Sequence, residues 1–171
     1  MKQFKLFIFL FFTFMAEGTI MMHFIPYENW GHIQIVPDFL FVLLLMVAFF
    51  ADEGWGMRYA IVFGLLTDLV YTSIIGVYAF SMGLAVYVTY SLSKWVNMNI
   101  VMTAVLSAFG VFFLQTEVYL IYLMIRLTDQ PMNIFFQWRI PATIGLNIVF
   151  TLVVYFPFKR FLSGMKKTEL D

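Results

Sequence analysis

Residues 63–80 read FGLLTDLVYTSIIGVYAF, and Asp68 is the one charged residue among them. The charged residues nearest to it in sequence are Arg58 and Lys94. What a lone carboxylate does in so apolar a run depends on the solvent around it, and composition identifies that solvent. The chain has 171 residues, of which 63% are hydrophobic, 20% aromatic and only 12% charged. Its mean hydropathy is +0.90. A soluble domain carries roughly a quarter charged residues and about half apolar ones. This chain has too little polar surface to cover itself in water, so its composition implies an integral membrane protein.

Composition also narrows the chemistry. There is no cysteine, which excludes disulfides, thiolate metal sites and cysteine nucleophiles. The charges fall in short clusters between apolar runs, with no basic patch long enough to follow a phosphate backbone. The first residues, MKQFKLFIFLFFTFMAEG, have the basic start and apolar core of a secretory signal. Bulky Phe14 and Met15 stand where cleavage after Ala16 wants small side chains, so the segment reads as a retained first helix.

A helix needs about 20 mostly apolar residues to cross a bilayer. Such runs lie at about 4–23, 35–51, 57–74, 76–94, 99–125 and 140–158. The reading is an all-α polytopic membrane protein: a single integral domain over 1–171 with six transmembrane helices. The third and fourth spans read as a hairpin closed around Ser73 and Gly76; a helix broken by a re-entrant segment is the alternative. With the N-terminus cytoplasmic, Lys2, Lys5, Arg58, Lys94, Lys159, Arg160, Lys166 and Lys167 fall inside, and only Arg126 and Arg139 outside. That bias predicts both termini in the cytoplasm of a multi-pass inner (plasma) membrane protein. Trp30, Trp55, Trp95 and Trp138 fall near span ends, where indoles favour the interface.

Within the spans, a charge at a helix centre costs roughly 2.5–3.5 kcal/mol. Each Leu, Ile, Val or Phe returns roughly 0.3–0.6 kcal/mol, so the third span inserts with Asp68 in place. Ala60, Gly64 and Asp68 recur every four residues and share a face, which small residues make suitable for close helix contact. The first or fifth span, or a partner's helix, is the expected neighbour. With no lysine or arginine in the spans, Asp68 is expected to act by its hydrogen-bonding shape, so that asparagine replaces it. Glu17, Glu117 and Asn147 repeat the pattern in other spans, and all four polar residues can converge on one interior. They serve either a packing network or an ion, proton or ligand pathway. Asp38, after Pro37, reads as a first-turn acid favoured by the helix dipole. No HExxH, GxSxG, P-loop or dinucleotide pattern occurs, which argues against an enzyme. His23, Glu28 and His32 read as solvated loop residues rather than a metal site, and no cofactor is expected.

Taken together, these residues carry a resemblance. Pro37-Asp38 opens an apolar helix, and Gly54 and Gly56 lie in the loop after it. Gly64-Leu65-x-x-Asp68, Gly76 and Tyr78 follow. With the length and six spans, the chain resembles the rod shape-determining MreD family of bacteria, and Pro141 to Asn147 is similar to that family's last helix. The resemblance implies a non-enzymatic subunit of the cell-elongation complex, supporting cell shape and peptidoglycan synthesis. It implies binding to a bitopic MreC-like protein and, indirectly, to the MreB filament, RodA and a class B penicillin-binding transpeptidase. The family is similar in fold to the substrate-binding subunits of energy-coupling-factor transporters. That likeness supplies the alternative, a small-ligand or lipid-binding subunit of a transporter. An intramembrane hydrolase is a third class.

Overall fold

The computed structural model describes residues 2–24 and 35–166. Glu28, Trp30, His32 and Lys167 lie outside them, as do the side chains of Lys2, His23 and Lys166. Among the described residues the structure is all-helical, with six main helices. They are α1 (Lys2–Phe24), α2 (Phe39–Phe50), α3 (Glu53–Tyr71), α4 (Val77–Ser93), α5 (Ile100–Met124) and a composite α6. α6 opens at Met132–Ile134, widens into a π-turn over Phe135–Arg139, and continues as Ile140–Lys166. Gln3–Ile20, Ile100–Met124 and Met132–Gly164 are long and apolar enough to cross a membrane, while α2 and α4 are shorter apolar helices.

α2 is the centre of the bundle. Its sequence, FLFVLLLMVAFF, is apolar all round, and residues 40–48 are buried on every side. A helix with no polar stripe must be enclosed, and α2 touches each of the other five helices. α1 reaches its neighbours through long side chains: Phe7 and Phe14 meet Phe63 of α3 at 5.5 and 6.2 Å, and Phe9 meets Phe158 of α6 at 5.5 Å. The tightest pair is α3 with α4. A Cβ on Gly64 would lie 2.6 Å from Cα of Ala79 and 2.7 Å from the Tyr78 carbonyl oxygen, so only glycine fits. The neighbour on this face is therefore α4, not the first or fifth helix or a partner, as the sequence suggested. Ala60 is buried in the same core.

Three helix starts differ from the sequence reading by four residues or more, and α6 runs on to Lys166, past 158. α3 starts at Glu53 rather than 57, because the Asp52 carboxylate accepts the Trp55 N–H and caps it. α2 begins only at Phe39, with residues 35–38 before it in no regular secondary structure. α6 begins at Met132 rather than 140, which takes Arg139 out of a loop and into a helix. Its ladder widens just before Pro141, which has no N–H to give to the preceding turn.

The chain runs end to end six times. Glu53 and Lys94 meet at 3.5 Å at one end, where the Tyr59 hydroxyl also donates to the Gln3 carbonyl. Lys159 lies over the Phe50 ring at that end. At the other end Val36, Ser73 and Leu127 border one cavity. Val36, just before α2, and the third and fifth connections therefore lie at one end, and the second and fourth connections lie at the other with Gln3 and Lys159.

Candidate functional site

The polar residues of the cavity end are spent on helix starts. An α-helix leaves its first four N–H groups without partners. α4 begins at Gly76, whose φ of 108° is a left-handed conformation that glycine adopts without strain. Gly76 has no side chain with which to cap the helix, so the cap comes from α3. Asp68 Oδ2 accepts the N–H of Gly76 at 2.9 Å and of Ala79 at 3.1 Å. Its Oδ1 accepts the Tyr78 N–H at 3.0 Å. Three orphan donors are satisfied by one fully buried carboxylate. Gly64, one turn earlier, lets Tyr78 and Ala79 come close enough for this.

α2 is started in the same way. Asp38 holds the N-cap position, at the helix start where the sequence placed it, yet its side chain makes no capping bond. Glu17, on α1, supplies the acceptor, taking the Leu40 N–H at 2.8 Å. Asp38 instead receives Gln115 Nε2 on both oxygens, at 2.9 and 2.8 Å. Gln115 Oε1 in turn accepts from Arg139 Nη2 at 3.2 Å, and Arg139 Nη1 donates to Gln130. A cation therefore does reach the buried acids, through a glutamine. Sequence reasoning missed both residues because Gln115 is uncharged and Arg139 was assigned to a loop.

The non-helical residues before α2 are held by α6. Val36 N–H donates to Thr143 Oγ1 at 3.1 Å, and Asp38 N–H donates to Asn147 Oδ1 at 3.1 Å. Asn147 Nδ2 donates to the Val36 carbonyl at 3.2 Å. Pro37, between them, has no N–H to satisfy. Buried backbone outside a helix needs such partners, and Thr143 and Asn147, one turn apart, provide them. Thr151, a turn further on, bonds only within its own helix.

Of the residues singled out in sequence, Pro37, Asp38, Glu17 and Asn147 thus meet around the start of α2, and Asp68 and Gly76 meet at the start of α4. Glu117 joins neither group; its Oε2 is buried without a hydrogen bond. No group of three His, Cys, Asp or Glu able to hold a metal occurs among the described residues.

Comparison with known proteins identifies the family. The model of the family "rod shape-determining protein MreD" matches residues 2–165. The Rod shape-determining protein MreD of Bacillus subtilis (strain 168) is 30% identical over 173 residues, covering 100% of this chain and 99% of that protein. No solved structure matches. The chain belongs to the MreD family.

Proposed function

We propose that this MreD-family chain is a non-enzymatic membrane subunit of the bacterial cell-elongation complex. The observation that carries the reading is the family match, which spans residues 2–165. The geometry supports it, because Glu17, Asp38, Asp68 and Asn147 all serve the fold. The helices cross the bilayer six times, with both termini cytoplasmic and the whole chain one integral domain. α2 is too short to cross alone. Twelve helical residues rise about 18 Å, and the four non-helical residues before them add up to about 13 Å. The sum matches the roughly 30 Å hydrocarbon core. Non-helical backbone at that depth is tolerated where protein satisfies it, and Thr143 and Asn147 do so.

In this role the chain binds a bitopic MreC-like protein. Through it the chain reaches the MreB filament, RodA and a class B penicillin-binding transpeptidase. The test is replacement of the resident copy in a rod-shaped bacterium, followed by a pull-down in mild detergent. Rod shape and capture of a bitopic coiled-coil protein are expected. Normal rods on loss of the chain, with no such protein captured, would refute the reading. The second reading, a ligand-binding transporter subunit similar to those of energy-coupling-factor systems, draws on the cavity beside Glu17. It predicts co-purification of ATPase subunits instead.

A further inference from the structure

Between α1, α2, α3, α4 and α5, at the end where Val36 and Ser73 lie, is a cavity of about 450 Å³. Sites for small organic ligands run from roughly 300 to 1,000 Å³. Its walls carry four aromatic rings, from Phe14, Tyr71, Tyr78 and Tyr122. Among the described residues its only carboxylates are Glu17 and Asp38, and no lysine, arginine or histidine lines it.

Both carboxylates border this space, near the start of α2. Both have folding partners, Leu40 N–H for Glu17 and Gln115 for Asp38. A carboxylate offers about four acceptor positions, so each retains capacity toward the cavity. Arg139 attends to Asp38 from behind, through Gln115, and Glu17 has no such cation. A separate observation points the same way: the Tyr122 hydroxyl is buried at the cavity wall beside Thr72, with no hydrogen bond of 3.5 Å or shorter among the described residues. Glu17 also borders a second, apolar groove along α1, lined by Phe12, Phe39 and Phe150. The carboxylate therefore stands between the cavity and the outer flank of the bundle.

Negative charge, aromatic walls and organic dimensions define one ligand class. A metal ion would leave most of the space empty, and an anion would meet two carboxylates. We propose that this cavity binds an organic ammonium group, carried by a free amine or by a lipid headgroup. Glu17 and Asp38 supply the charge, the tyrosine rings the cation–π surface, and the Tyr122 hydroxyl a hydrogen bond. The inference rests on the cavity and is independent of the cell-elongation role, so cell shape is not its readout.

The test uses the full chain in phosphatidylglycerol nanodiscs, titrated with radiolabelled choline and, separately, ethanolamine. 3,3-Dimethylbutan-1-ol, the uncharged isostere of choline, is the control competitor. Saturable binding is expected, with the neutral isostere roughly tenfold weaker or worse. Thr67→Phe, which fills the cavity from α3, should abolish binding while the protein still melts cooperatively. Tyr122→Phe tests the hydroxyl without disturbing any capping bond, and should weaken binding several-fold. Adding phosphatidylethanolamine to the nanodiscs separates the sources: displacement of choline assigns a lipid headgroup, and undiminished binding a free amine. Absence of saturable binding of either amine overturns the proposal. So does equal competition by the neutral isostere, or binding that survives Thr67→Phe.

Discussion

Asp68 supplies the acceptor that the first turn of α4 lacks, and this changes what its substitution should do. With no cation in the spans, the sequence alone suggested that asparagine would replace it. In the structure both oxygens receive N–H groups, so an amide NH2 on either side would face a donor. Asp68→Leu strands three buried N–H groups at about 1–3 kcal/mol each. We expect a loss of at least about 3 kcal/mol for leucine and about 1–3 kcal/mol for asparagine, read from melting of the purified variants. An asparagine variant that melts like the wild type would show that the carboxylate is not the cap. Gly64 is equally constrained. Because the obstruction is the backbone of Tyr78 and Ala79, even Gly64→Ala should cost about 1–3 kcal/mol. Val62→Leu, on a position 43% exposed, should be neutral. Equal melting temperatures for the two variants would remove the close contact from the account.

At the scale of elements, the two ends of the bundle differ in how their helices begin. α3 and α5 start with local caps, Asp52 to Trp55 and Asn99 to Met102, three residues apart in sequence. α2 and α4 are capped from other helices, by Glu17 and Asp68. Local caps leave a pattern that a reader can find. A cap across 23 residues, or across a turn from Asp68 to Gly76, leaves only a lone acid in an apolar run. That is why the sequence marked Glu17, Asp68 and Asn147 as inward-facing but could not say what they faced. Asp38 does sit at the start of α2, as its place after Pro37 suggested, while the acceptor for the Leu40 N–H comes from Glu17. For the non-helical residues 35–38, Asn147→Leu should cost about 2–4 kcal/mol, because it strands the Asp38 N–H and the Val36 carbonyl. Hydrogen exchange over 36–40 should accelerate in that variant. Thr151→Val, whose hydroxyl bonds only its own helix, should leave exchange there unchanged. Equal acceleration in both would mean that α6 does not clamp this segment.

Over the whole molecule, hydropathy located all six helices, because a chain with 12% charged residues has few places to turn. What it could not show was depth. α2 appears in sequence as one more apolar run, whereas the fold encloses it on every side and gives the outer faces to its neighbours. The start of α6 was hidden for a related reason: Gln137 and Arg139 looked like loop residues, and Arg139 turns inward to Gln115. The account as a whole rests on six bilayer crossings, with α2 and its non-helical lead-in making the second. The chain has no cysteine, so single cysteines can be placed without background. In intact cells, a membrane-impermeant thiol reagent should modify cysteines at positions 73 and 129. It should reach positions 3, 53 and 95 only after the membrane is opened. Labelling of position 53 from outside, alongside 73 and 129, would mean fewer than six crossings, and would contradict the account.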